Sequence, residues 1–170
     1  MERRVPGSTP PIYLDTVVQV SNLTVAFELK YKTKLLDEYS QGEHFSLKNQ
    51  GAQDQGRYDF LRDVERLERT VDSGEASVGY AIFLTNDGLY WKHSVRGETV
   101  DAEFRLHTGS EKQGTLSWSS KASDGTKRAR ACPIVLAGRY KLAWKKFSDL
   151  DTESSNRIFK YLVVKVGNAT

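Results

Sequence analysis

A chain of 170 residues, 38% hydrophobic and 28% charged with a net charge of +3, has the size and balance of one ordinary globular domain able to bury a core without staples. Its longest apolar runs, 78–84 and 134–137, are too short to span a bilayer, and residues 1–6 lack the apolar stretch of a secretory leader. A single cysteine, Cys132, excludes an intramolecular disulfide and points to a reducing, cytoplasmic compartment.

Residues 1–11 carry Pro6, Pro10 and Pro11 with Gly7 and Ser8, and read as an irregular lead-in. From Ile12 the pattern turns to β. Ile12, Leu14, Val18 and Val20 share one parity, Val25, Phe27, Leu29 and Tyr31 share one in the next stretch, and Ser21-Asn22 is the tight turn between them. A short strand around 45–47 follows within a polar connection. Residues 58–71 predict an amphipathic helix, because Tyr58, Leu61, Val64, Leu67 and Val71 recur at three- and four-residue spacings. Asp54 is its candidate cap, Gly74 its stop, and Arg62, Glu65 and Arg69 its solvent side. The apolar run 78–84 predicts a strand buried on both faces, closed by the turn signal Thr85-Asn86-Asp87-Gly88. Further strands are expected around 102–106, 115–118, 133–136 and 159–166, while 140–148 fits helix or strand. This order makes one domain over 1–170: an α/β core at 12–88 and a β-rich extension at 89–170 packed on it.

Between Glu111 and Lys146 nine Lys or Arg stand against two acids, a basic stretch suited to a polyanion or to a solvated surface. Other chemistries are poorly served. His44, His93 and His107 are too scattered for a zinc motif, and no phosphate-binding glycine loop is present. Cys132 reads as a core thiol, and Trp91, Trp118 and Trp144 as core packing rather than base-stacking platforms.

Centring the first hairpin on Ser21-Asn22 sets Val18 opposite Val25, Leu14 opposite Leu29 and Ile12 opposite Tyr31, one apolar face expected to be buried. On the other face Asp15 falls opposite Glu28, with Lys30 two residues along. Opposed β-carbons lie about 4.5–5.5 Å apart, and carboxylates that close repel unless a cation sits between them. Oxygen ligands favour Mg²⁺ or Mn²⁺. Such an ion polarises a phosphoryl oxygen and activates a water, and a lysine beside it positions that water or neutralises developing charge. Asp15 and Glu28 are therefore the candidate metal ligands, and Asp15, Glu28 and Lys30 the candidate catalytic residues. Lys32 and Lys34 continue the same parity and are candidates for flanking phosphates. In the helix, Asp59, Asp63 and Arg66 share one side, as a salt-bridge ladder or as support behind the metal.

Tyr13-Leu14-Asp15 followed by Ala26-Phe27-Glu28-Leu29-Lys30 resembles the PD-(D/E)xK, or restriction-endonuclease-like, nuclease superfamily. The stretches 57–68 and 79–87 are similar to uncharacterised bacterial members. The resemblance implies a mixed sheet with strand-strand-strand-helix-strand order, matched by 12–84, and Mg²⁺-dependent endonuclease action on DNA by Asp15, Glu28 and Lys30. The alternative is the same fold without cleavage, serving as a nucleic-acid or protein binding module. Two departures stand out. Leu14 takes the place of the motif's proline, and the superfamily's first helix, which often supplies another acidic ligand, has no counterpart upstream, where Glu2 is the acid available. DNA is the expected partner, no membrane is expected, and a homodimer stays open, for instance through the helix face.

Overall fold

The computed structural model describes residues 3–4, 13–95 and 97–167. Two short strands, β1 (Arg3–Arg4) and β2 (Tyr13–Leu14), pair at the entry. A bend at Asp15 separates β2 from β3 (Thr16–Val20), which pairs antiparallel with β4 (Leu23–Lys32) across Ser21-Asn22. The ladder sets Val18 opposite Val25, as the alternation predicts. Ser21 takes a φ of 52°, the left-handed conformation favoured in two-residue hairpin turns. A second hairpin, β5 (Leu36–Ser40) with β6 (Glu43–Leu47), leads to helix α1 (Gln53–Asp72) and then to β7 (Val78–Thr85). β7 lies parallel to β4, with Glu28 level with Ala81 and Lys30 level with Phe83. Parallel neighbours require a crossover, and the second hairpin plus α1 supply it.

The C-terminal half comprises a 3₁₀ turn (Ala102–Phe104), β8 (Glu111–Leu116), the short α2 (Asp124–Lys127), β9 (Ile134–Lys141), β10 (Lys145–Asp149) and β11 (Ile158–Val166). It is more than an extension. β11 pairs antiparallel with β7 and β10 with β11, so the central mixed sheet runs β10-β11-β7-β4-β3. The strand expected around 102–106 is instead the 3₁₀ turn. There Asp101 is held by Arg57 and Thr99, and Phe104 is fully buried. Residues 140–148 resolve into the end of β9, a loop and the start of β10.

Helix α1 begins at Gln53, five residues before the apolar periodicity starts. Gln53 Nε2 donates to Asp87 Oδ2 at 2.8 Å, and Asp54 bonds the adjacent Gln55 N–H rather than capping the helix. The stop falls where expected. Gly74 takes a φ of 76° and its N–H donates to the Val71 carbonyl, while the Glu75 N–H reaches the Thr70 carbonyl. Tyr58, Leu61, Val64 and Leu67 are buried, each contributing about 1.5–3 kcal/mol of apolar transfer. Gly79 on β7 permits the close approach, since a Cβ there would lie 3.0 Å from Leu67.

The opposite side of α1 is covered as well. β9 pairs with β8 along one edge, and glutamates of α1 serve the other. Glu65 Oε1 accepts from Val135 N at 3.0 Å, and Glu68 accepts from Ala137 N at 3.0 Å and Gly138 N at 2.7 Å. Glu65 is thus buried rather than on a solvent side, because backbone N–H groups of an unpaired strand edge need acceptors. The helix is sandwiched between the sheet and the β8–β9 hairpin.

That placement reverses one expectation about the first hairpin. α1 lies on the sheet face carrying Ala26 and Glu28, while Val18, Leu29 and Tyr31 stay exposed and Val25 is half-buried. Ile12 lies outside the described residues, and among the described members of the expected set Leu14 alone is buried, because the bend at Asp15 turns it inward and pairs it with Arg3 instead of Leu29. Likewise β7 is buried on its helix face, with Tyr80, Ile82 and Leu84 half-buried on the other. Cys132 is exposed, not a core thiol. Trp144 is buried, and Trp91 and Trp118 pack against the core, as expected.

Candidate active site

Strand β4, helix α1 and the bend at Asp15 bring five charged side chains together. The regular ladder stops at Thr16 opposite Phe27, so Asp15 is not a strand residue. Its Oδ2 accepts from the Leu29 N–H at 2.7 Å, which anchors the carboxylate against β4. Glu28, on the covered face, is 3% exposed, and the Asp15 carboxylate lies close enough to raise its proton affinity. Two residues along, Lys30 Nζ lies 3.1 Å from Asp63 Oδ2. Arg66 closes the cluster, with one guanidinium nitrogen 2.5 Å from Glu28 Oε1 and another 2.9 Å from Asp63 Oδ1.

Burial pushes the Glu28 carboxyl up to about 8, assisted by the negative Asp63 and Asp15 and opposed by the Arg66 guanidinium. Burial raises Asp63 as well, against Lys30 and Arg66, which hold it down. Three acids face two cations within one half-buried cluster. Such a cluster favours an added positive charge, whether a proton on Glu28 or a cation.

Asp15 and Glu28 come near one another, though Asp15 sits at the bend rather than opposite Glu28 in the ladder, while Lys30 pairs with Asp63, and α1 adds Asp63 and Arg66. Asp59 does not join them, because Arg130 takes its carboxylate through two bonds, at 2.6 and 2.9 Å. Lys32 continues the Lys30 face, level with Thr85 of β7. Lys34 lies beyond the end of β4, its backbone N–H held by Asn86 Oδ1 at 2.7 Å. Glu2 lies outside the described residues. Among the described residues no group of three or more His, Cys, Asp or Glu side chains is arranged around a common metal position. The His93 and His107 rings meet at a tilt with centroids 3.9 Å apart, while His44 bonds Asp37. A cleft of about 730 Å³ opens at the N-terminal end of α1, lined among others by Arg57, Lys92 and Asp101, and includes none of the five cluster residues.

Support behind the acids was one of two readings of Asp63 and Arg66 in the sequence, and the Arg66–Glu28 contact, spanning 38 residues, fits it. The i, i+3 spacing of Asp63 and Arg66 was the visible part of that signal. Comparison with protein-family models, curated proteins and solved structures returned no match. The chain is a mixed α/β protein, and no helix among the described residues is long and apolar enough to cross a membrane.

Proposed function

We propose that the chain is a Mg²⁺- or Mn²⁺-dependent nuclease that hydrolyses phosphodiester bonds of DNA through Asp15, Glu28 and Lys30. The observation that carries this reading is the nearness of the Asp15 and Glu28 carboxyls, with Glu28 raised to about 8 and with Lys30, two residues along β4, held by Asp63. The donors suit a hard divalent ion, since they are all oxygens. Two carboxylates are as many as Mg²⁺ commonly takes from a protein, water and substrate phosphate completing its shell. Asp15 and Glu28 would hold the ion, which when bound supplies Lewis-acid polarisation and a water of lowered pKa. The remaining work belongs to the chain. Lys30 places an ammonium where charge develops on a phosphate, and Asp63 and Arg66 fix Lys30 and Glu28 from the helix. Lys32, on the same face, meets a neighbouring phosphate. The succession of hairpin, helix and parallel strand supports a restriction-endonuclease-like core, and the single cysteine supports a cytoplasmic place of action.

One observation favours a second reading. Arg66 and Lys30 already neutralise Glu28 and Asp63, so the cluster also suits a structural ion-pair network in a non-catalytic nucleic-acid or protein binding module. A calorimetric titration with Mn²⁺ separates the two. The nuclease reading expects binding by the wild type, its loss in Asp15→Asn and its retention in Lys30→Ala. Absence of any binding heat in the wild type gives the case to the module.

A further inference from the structure

The face of the central sheet turned away from α1 is apolar across neighbouring strands. Leu29, Ile82 and Val163 stand level on β4, β7 and β11, and Tyr31, Leu84 and Tyr161 form the adjoining row. Exposure on this face reaches 55% at Leu29 and 65% at Phe147, whose ring meets that of Tyr161 edge-on. By strand alternation its charged members within the paired registers are Lys145 and Lys165, one on the edge strand β10 and the other near the end of β11. Monomers rarely leave so wide an apolar surface in water.

We propose that a second copy of this chain packs on that face, sheet against sheet, in a two-fold dimer. Area supports this occupant. Strands about 4.8 Å apart and a rise of about 3.3 Å per residue give about 600 Å² of face per copy. Two copies then bury about 1,200 Å², enough for a specific interface. Charge supports it too. A two-fold contact sets the same patch against itself, and this patch carries no acid and keeps its two lysines at the margin. Phosphates and acidic peptides would find little to pair with at its centre. The Asp15–Glu28 cluster lies on the helix side, so the dimer leaves both clusters open.

Sedimentation velocity of the full chain at micromolar concentration tests this, on wild type, Leu29→Lys, Val163→Lys and the control Leu35→Lys. Leu35 is exposed but lies between β4 and β5, outside the sheet. Leu29 and Val163 are partly exposed, so a lysine reaches water in the monomer and circular dichroism should stay unchanged. The expected result is a wild-type dimer, monomers for both face variants and a dimer for Leu35→Lys. A monomeric wild type overturns the proposal, as does a dimer that survives both face variants or one that Leu35→Lys dissociates equally.

Discussion

Glu28 shows how one side chain is set by groups distant in sequence. Its proton is held up to about 8 in the folded chain, against an ordinary value of 4.5. Between those two values the folded state holds more protons than the unfolded. The stability this group contributes is therefore complete below 4.5 and lost as pH rises through about 8. Replacing Glu28 by glutamine keeps the neutral form at every pH. Chemical denaturation in chelator at about pH 5 and about pH 9 should show the wild type losing more stability than Glu28→Gln across that span, and parallel losses would contradict the assignment. Lys30→Ala tests the other half of the cluster. Cleavage should fall about a hundredfold or more while Mn²⁺ binding persists, because Lys30 is assigned to the phosphate and not to the ion. Asp15 lies at the bend beyond the paired ladder and reaches β4 through the Leu29 N–H, while the register of the hairpin itself was legible from the two-residue strand period. The burial of Glu28 was not, since it depends on Arg66 arriving from a helix.

At the scale of elements, α1 organises the molecule from both sides. Gly56 faces the Tyr90 hydroxyl so closely that a Cβ would overlap it. Alanine in place of a mid-helix glycine ordinarily gains about 1 kcal/mol, but overpacking costs about 1–3 kcal/mol. Gly56→Ala should therefore lower the thermal midpoint, and a rise would show that Tyr90 moves freely. Glu68→Ala removes the acceptor for two β9 amides and for the Tyr140 hydroxyl, with a cost of about 1–3 kcal/mol expected in urea unfolding. The helix was legible because Tyr58, Leu61, Val64 and Leu67 repeat at its period. Its second buried side was not. Glu65 and Glu68 look like solvated residues until β9 supplies N–H groups for them. β5 had no sign in the sequence and β10 fitted helix or strand equally, because Asp37-Glu38 and Lys145-Lys146 are poor strand formers, held in place by pairing with β6 and β11.

For the whole molecule, the apolar stripe of the first hairpin pointed to a core face, yet the helix covers the stripe's reverse. Period fixes which residues share a face, but which face is covered follows from where the crossover lays α1. The consequence is a sheet with charged residues Glu28 and Lys30 on the side under the helix and an apolar, partly exposed opposite side. In the function proposed above, Asp15 and Glu28 serve metal-dependent cleavage of nucleic acid. Incubation of plasmid DNA, single-stranded DNA and RNA with the wild type and Asp15→Ala, in Mg²⁺ or Mn²⁺ and again in chelator, measures this directly. DNA cut by the wild type in metal alone, and by Asp15→Ala in neither condition, is the predicted result. Cleavage that survives chelator or Asp15→Ala, or no cleavage of any substrate, would contradict it.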